Sequence, residues 1–232
     1  MSATGEARVA ETSSHVRVES DAVIFGRFEH PREEQRIVTF IDLVGSTAIA
    51  EKLGSVRFYA LLSDVFMRLS EIVAEFGGEV HRYVGDALIA TWPVGSCREN
   101  ARSIRALFAC RDALESAASD FRRRYGHVPE FRASLHCGPL VAAAMGAFRG
   151  EVVLVGDAMN TAARIEQACR ATGHRMLVSR SLLMRAALPG DIIATSIGTR
   201  LLRGKAERLE LLTLERRRAG EEAPCFLLLA CA

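Results

Sequence analysis

The 232-residue chain has one tryptophan, and its six cysteines (Cys97, Cys110, Cys137, Cys169, Cys225, Cys231) include no Cys-x-x-Cys pair. They read as free thiols, mostly core filler, in a reducing cytoplasm. The opening stretch MSATGEARVAETSS has no basic segment followed by an apolar one, so it does not read as a secretion signal. No run approaches the roughly 20 apolar residues of a membrane helix. The terminal PCFLLLACA is far too short for that, so no membrane insertion is expected. Neither sign of charge prevails: 30 Lys plus Arg against 28 Asp plus Glu leaves +2. That balance argues against nucleic acid or an anionic membrane as partner. The phosphate loop G-x-x-x-x-G-K-[ST], the dinucleotide fingerprint G-x-G-x-x-G, the zinc motif H-E-x-x-H and the EF-hand loop are all missing. What remains is 49% hydrophobic and 25% charged residues, the make-up of a globular chain able to bury a full core.

Residues 1–33 mix Ser, Thr, Glu, Arg and Val without a sustained period and read as a flexible N-terminal arm, with one short strand near Ala22 to Phe28. The domain is expected over 34–217, with 218–232 as a C-terminal tail. Arg36 to Val44, RIVTFIDLV, is a buried strand by its length and β-branched content, ended by Gly45 and followed by the helix-start types Ser46 and Thr47. Phe58, Leu61, Leu62, Val65, Phe66 and Leu69 recur at threes and fours, predicting a long amphipathic helix up to Gly77-Gly78. Glu79 to Val84 and Ala87 to Trp92 flank Gly85-Asp86 as a hairpin. Cys97 to Arg124 predicts a second long helix.

Phe131 to His136 and Leu140 to Ala144 read as a strand pair about Gly138-Pro139, Glu151 to Val155 as a strand broken by Gly156, and Asp157 to Arg170 as a helix. Met176 to Val178, Ile192 to Ile197 and Leu209 to Leu214 supply later strands around a short helix at Leu182 to Ala187. The first part is therefore β-α-β-β-α-β, an α+β ferredoxin-like split-βαβ plait with appended strands.

The chemistry is signalled by charges in unexpected places. Asp42 sits inside Phe40-Ile41-Asp42-Leu43-Val44, where burial of an unpaired acid costs several kcal/mol. Alone, it also has a plainer reading, as a strand-end residue capping the helix that follows. Asp86, alone, is ordinary turn chemistry. In a split-βαβ plait, however, the first strand lies beside the following hairpin, so the two carboxylates can meet at one end of the sheet. Two such acids call for a cation, and oxygen ligands favour magnesium or manganese, which bind one or two carboxylates plus substrate phosphates. The N–H groups at Gly45, Ser46 and Thr47 would then cradle a triphosphate at a helix N-terminus. Asn160 and Arg164, four apart on a predicted helix, project from one face toward one ligand, or else pair locally, Arg164 with Glu166. Arg203 and Lys205 in LLRGKAE are either phosphate contacts or a solvated turn.

Three motifs in order carry a resemblance: FIDLVGST at 40–47, YVGDALIATW at 83–92 and VGDAMNTAARIE at 155–166. Together they resemble the catalytic domain of the class III nucleotidyl (adenylate/guanylate) cyclases, bacterial type, over about residues 34 to 215. The resemblance implies formation of a 3′,5′-cyclic nucleotide and pyrophosphate from ATP or GTP, on a ferredoxin-like fold that works as a homodimer with sites across the interface. It implies two divalent cations per site, Mg2+ or Mn2+, on Asp42, Asp86 and the backbone carbonyl of Ile41. One would activate the ribose 3′-hydroxyl and the other would clamp the triphosphate. It implies Asn160 as the ribose-orienting residue and Arg164 as the stabiliser of charge on the α-phosphate, both from the second subunit. Lys205, or Arg203 beside it, would contact the terminal phosphates.

The base-reading positions depart from the family's pattern. Where adenylyl cyclases carry a lysine four residues before the second metal aspartate, this chain has Arg82; where they carry Asp or Thr seven residues before the asparagine, it has Val153. Val153 accepts no bond from the adenine amino group, and Arg82 has the wrong charge for the acid that a guanine reader uses. The expectation is an adenylyl cyclase. The alternatives are a guanylyl or broad-specificity cyclase, and a non-catalytic nucleotide-binding regulatory or dimerisation module. A diguanylate cyclase shares the plait, but its GG-acid-acid-F hairpin is missing. The roughly 33 residues ahead of the domain are fewer than a sensor domain of ordinary size needs, so an unidentified regulator, or dimerisation itself, is the expected control.

Overall fold

The computed structural model describes residues 30–145, 151–205 and 207–217. The strand expected near Ala22 to Phe28 and the tail 218–232 lie outside the described residues. In chain order the elements are β1 (Arg32–Leu43), α1 (Ser46–Leu53), α2 (Ser55–Glu75), β2 (Glu79–Val84), β3 (Ala87–Pro93), α3 (Cys97–Ser116) and α4 (Ala118–Tyr125). They continue with β4 (Phe131–Met145), β5 (Glu151–Val155), α5 (Asp157–Thr172), β6 (Met176–Ser179), α6 (Arg180–Leu183), β7 (Ile192–Leu201) and β8 (Arg208–Arg216).

The strands form one mixed sheet in the order β2-β3-β1-β4-β6-β8-β7, with β5 paired to β4. Its β2-β3-β1-β4 half is the ferredoxin-like plait expected from the motif order, and β6, β8 and β7 are the appended strands. The period of two along β1 sorts its side chains onto two faces. Ile37, Ile41 and Leu43 join the main core beneath α1 to α4, which includes Leu61, Leu69, Leu88, Trp92, Ile104, Leu107 and Phe121. Val38 and Phe40 face the other way, with Ile89, Leu140, Ala158 and Ala162, beneath α5. Asp42, two residues beyond Phe40, lies on that second face.

Four elements differ from the periodicity reading. The first long helix is two, because Gly54 at φ 75° and ψ 159° adopts a conformation that interrupts the α1–α2 run. The second breaks at Ala117, where the chain turns (φ −87°, ψ 7°) before Phe121 and Tyr125 re-enter the core. The expected pair about Gly138-Pro139 is one strand, β4. Gly138 serves close packing rather than a turn, since a Cβ there would lie 3.3 Å from the Ala158 Cβ of α5. Pro139 falls between the stretch of β4 paired to β6 and the stretch paired to β5, where the missing N–H interrupts neither ladder. The short helix expected at Leu182 to Ala187 starts earlier, as α6, with the Ser179 hydroxyl accepting from the Leu182 N–H.

Cys110, Cys137 and Cys169 are buried free thiols, as the filler reading expects. Cys97 is not among these free thiols. Among the described residues no helix is long and apolar enough to cross a membrane.

Candidate active site

The first carboxylate is set by strand register. Asp42, one residue before the end of β1, pairs with Ala87 of β3, and the Leu43 N–H donates to the Asp86 carbonyl at 3.2 Å, so the β2–β3 turn is tied to the end of β1. Asp42 is 3% exposed. Burial raises its pKa to about 6; the charges of Asp86 and Glu166 push the same way, while Arg170 and Arg132 pull it down. The acids thus outweigh the arginines. Among the described residues no three His, Cys, Asp or Glu side chains group to hold a metal by themselves; buried Asp42 with half-buried Asp86 is a carboxylate pair of the kind magnesium uses together with substrate phosphates.

Arg170, near the end of α5, reaches this cluster. Its Nη2 donates to Asp42 Oδ1 at 2.7 Å and its Nε to Glu166 Oε1 at 2.9 Å. Glu166 is itself buried, whereas the Arg170 side chain is 54% exposed. The Ile41 side chain is buried in the main core, so toward this end of the sheet Ile41 has its backbone to offer.

Gly45 stands at φ 70° between β1 and α1. The α1 ladder begins with the Ile49 N–H on the Gly45 carbonyl at 3.0 Å, so the N–H groups of Ser46 and Thr47 precede it. Thr47 is exposed and Ser46 half-buried, and a Cβ at Gly45 would meet nothing within 4 Å. The loop after Asp42 is open.

Helix α5 has a buried side and an exposed side. Ala158, Thr161, Ala162, Ile165, Glu166 and Cys169 are buried against the sheet. Asn160 is exposed and Arg164 half-exposed; Arg164 Nη1 donates to Gln167 Oε1 at 3.2 Å, not to Glu166. The chain therefore brings the Asp86 charge near Asp42 but leaves Asn160 exposed and Arg164 half-exposed, away from them. α5 begins close against β4: a Cβ at Gly156 (φ 154°) would lie 2.8 Å from the Leu140 Cα.

Lys205 meets the start of the same helix, its Nζ donating to Asp157 Oδ1 and Oδ2 at 2.6 and 2.7 Å. That contact holds the Asp157 carboxyl below its usual range. Arg203, two residues earlier, is exposed. Arg82 on β2 pairs in register with Ile89 of β3, and half-buried Val153 on β5 with Ala143 of β4.

The sequence reading did not single out Arg170, nor the roles of Glu166 and Asp157. A local signal for the first pair existed, since Glu166 and Arg170 are four apart. Nothing local ties Arg170 to Asp42, 128 residues away.

Residues 28–213 match the family described as the adenylate and guanylate cyclase catalytic domain. The chain belongs to that family. This cyclase domain is 36% identical over 193 residues to "Adenylate cyclase 2" of Rhizobium meliloti (strain 1021), covering 83% of the chain and 53% of the relative. It is 29% identical over 178 residues to "Adenylate cyclase 1" of the same organism, covering 74% and 26%. The cyclase domain thus spans about half the length of the first relative and about a quarter of the second. Among solved structures, the adenylyl cyclase CyaB from P. aeruginosa superposes with TM-score 0.71 at 19% identity, covering 83% of this chain and all of that one. The guanylyl cyclase Cya2 superposes with TM-score 0.70 at 16% identity, covering 83% and 96%. The fold is shared by readers of either base.

Proposed function

We propose that the cyclase domain, residues 34–217, is an adenylyl cyclase that converts ATP to 3′,5′-cyclic AMP and pyrophosphate in two equivalent sites shared across a homodimer. The observation that carries the reading is the division of α5. Asp42 and Asp86 meet within one protomer, while Asn160 and Arg164 face out of it, so a second copy completes each site. The 36% identical relative named an adenylate cyclase supports ATP over GTP, as does the absence of an acid at Arg82.

In this reading Asp42, Asp86 and the Ile41 carbonyl hold two Mg2+ or Mn2+ ions, which when bound lower the pKa of the ribose 3′-hydroxyl and neutralise the triphosphate. The N–H groups of Gly45, Ser46 and Thr47 orient the triphosphate. Lys205, or Arg203 beside it, contacts the terminal phosphates. From the second copy, Asn160 holds the ribose and Arg164 meets charge developing on the α-phosphate, an interaction strongest in the transition state. Arg82 and Val153 face the base with fewer specific contacts than a matched pair would make, which favours weak discrimination between ATP and GTP.

The test is incubation of the purified chain with ATP and with GTP, under magnesium and then manganese, with cyclic nucleotide and pyrophosphate measured directly. Cyclic AMP that disappears in Asp42→Ala is the expected result. A folded dimer that binds nucleotide yet forms no product under either metal would overturn it in favour of a binding module.

A further inference from the structure

We infer that Arg170 is the resident cation of the metal site: in the nucleotide-free protomer its guanidinium neutralises Asp42, and a divalent ion must displace it to bind. The inference rests on the reading of Asp42 and Asp86 as metal ligands and adds the group that competes for them.

A carboxylate 3% exposed, with two further acids acting on it, needs a positive partner whenever the metal is away. Arg170 is that partner, through one hydrogen bond of 2.7 Å to Oδ1. Its Nε is held separately by Glu166 at 2.9 Å, so the guanidinium spans two carboxylates. The two ends of this bridge differ in freedom. Asp42 and Glu166 are buried on packed elements, but the Arg170 side chain is 54% exposed and rotates on a flexible stem. A guanidinium and a divalent cation repel at the separations a shared carboxylate imposes. The mobile partner therefore leaves, its Nη2 releasing Asp42 while the Nε stays on Glu166. The bridge makes bare metal binding weaker than the acids alone would allow, so Arg170 sets the metal concentration at which the site fills.

Mn2+ titrated into the nucleotide-free full chain, with free ion read by electron paramagnetic resonance, tests this without turnover. Arg170→Gln is expected to bind Mn2+ roughly tenfold more tightly than the unsubstituted chain, the scale of one lost charge repulsion. The gain is expected to vanish when Asp42→Ala is added. Without metal Arg170→Gln should melt lower, since Asp42 has lost its counter-charge, and Mn2+ should raise its Tm by more than it raises that of the unsubstituted chain. Should that variant not fold, Arg170→Lys keeps the charge without the two-carboxylate bridge and is expected to fall between the two. Unchanged or weaker Mn2+ binding in the folded Arg170 variants would overturn the inference and leave the arginine as a scaffold. If Asp42→Ala leaves Mn2+ binding of the otherwise unsubstituted chain intact, the metal-site reading itself fails. Loss of binding in Asp42→Ala with no effect of Arg170 removes the inference alone.

Discussion

Lys205 clasps Asp157 through both carboxylate oxygens, at 2.6 and 2.7 Å, joining the β7–β8 connection to the first residue of α5. The pair is partly exposed, so it adds at most about 1 kcal/mol to stability. Its interest lies in the lysine that it occupies.

If Lys205 contacts substrate phosphate, Lys205→Ala raises the KM for ATP by roughly tenfold or more, since a hydrogen bond to a charged group is worth about 1.5–3 kcal/mol. Asp157→Asn, which frees the lysine and weakens the Thr161 hydroxyl bond to the same carboxyl, changes the unfolding free energy by about 1 kcal/mol and does not raise KM. Steady-state kinetics of both variants decide. An unchanged KM in Lys205→Ala would transfer the role to Arg203.

The two faces of α5 predict complementation. Asp86→Ala and Arg164→Ala chains, each nearly inactive alone, regain activity when mixed, because every heterodimer holds one site with neither substitution. Random exchange makes about half of the dimers mixed, with one good site of two, so roughly a quarter of parental activity returns. Absence of recovery, with exchange proven by tagged subunits, would argue against a site shared across an interface.

Acid stability carries the signature of His136. It is buried on β4, its Nδ1 sharing a 2.8 Å hydrogen bond with the Ser179 hydroxyl; burial lowers its pKa to about 4, and Lys205 adds to this against the opposing pull of Asp157. Above the ordinary value of 6.5 the imidazole is neutral folded or unfolded. As pH falls from 6.5 toward 4 only the unfolded chain takes up the proton, so stability is lost by on the order of 3 kcal/mol. Asp42 works the other way. With a folded pKa of about 6 above its ordinary 3.8, it takes up a proton first in the metal-free folded state, so stability rises as pH falls across that range. The His136 share is therefore read as the difference between the parent and His136→Gln in urea unfolding at pH 7 and pH 4.5. A difference that does not change between those pH values would contradict the buried neutral imidazole.

Much of the fold was legible because it is written in local periods. The β-branched run ending at Asp42, the hairpin about Gly85-Asp86 and the helix opened by Asp157 all follow from alternation, turn chemistry and spacing over a few residues. Gly54 and Gly138-Pro139 depart from the periodicity reading because glycine and proline have several uses, and the break at Ala117 carries no residue-type signal at all. Only the neighbour, such as Ala158 against Gly138, says which use applies.

By itself, then, the sequence determined the element order, the family and the identity of the acids at the end of β1 and in the hairpin, since those depend on residue types and near spacing. The tertiary structure alone decided that α5 leaves Asn160 and Arg164 away from Asp42, that the half-exposed Arg170 reaches back to hold Asp42, and that Lys205 holds Asp157. These pairings join residues 128 and 48 positions apart. They exist only because packing on the sheet brings the charges together, and no local pattern encodes which distant carboxylate a buried-edge cation will meet.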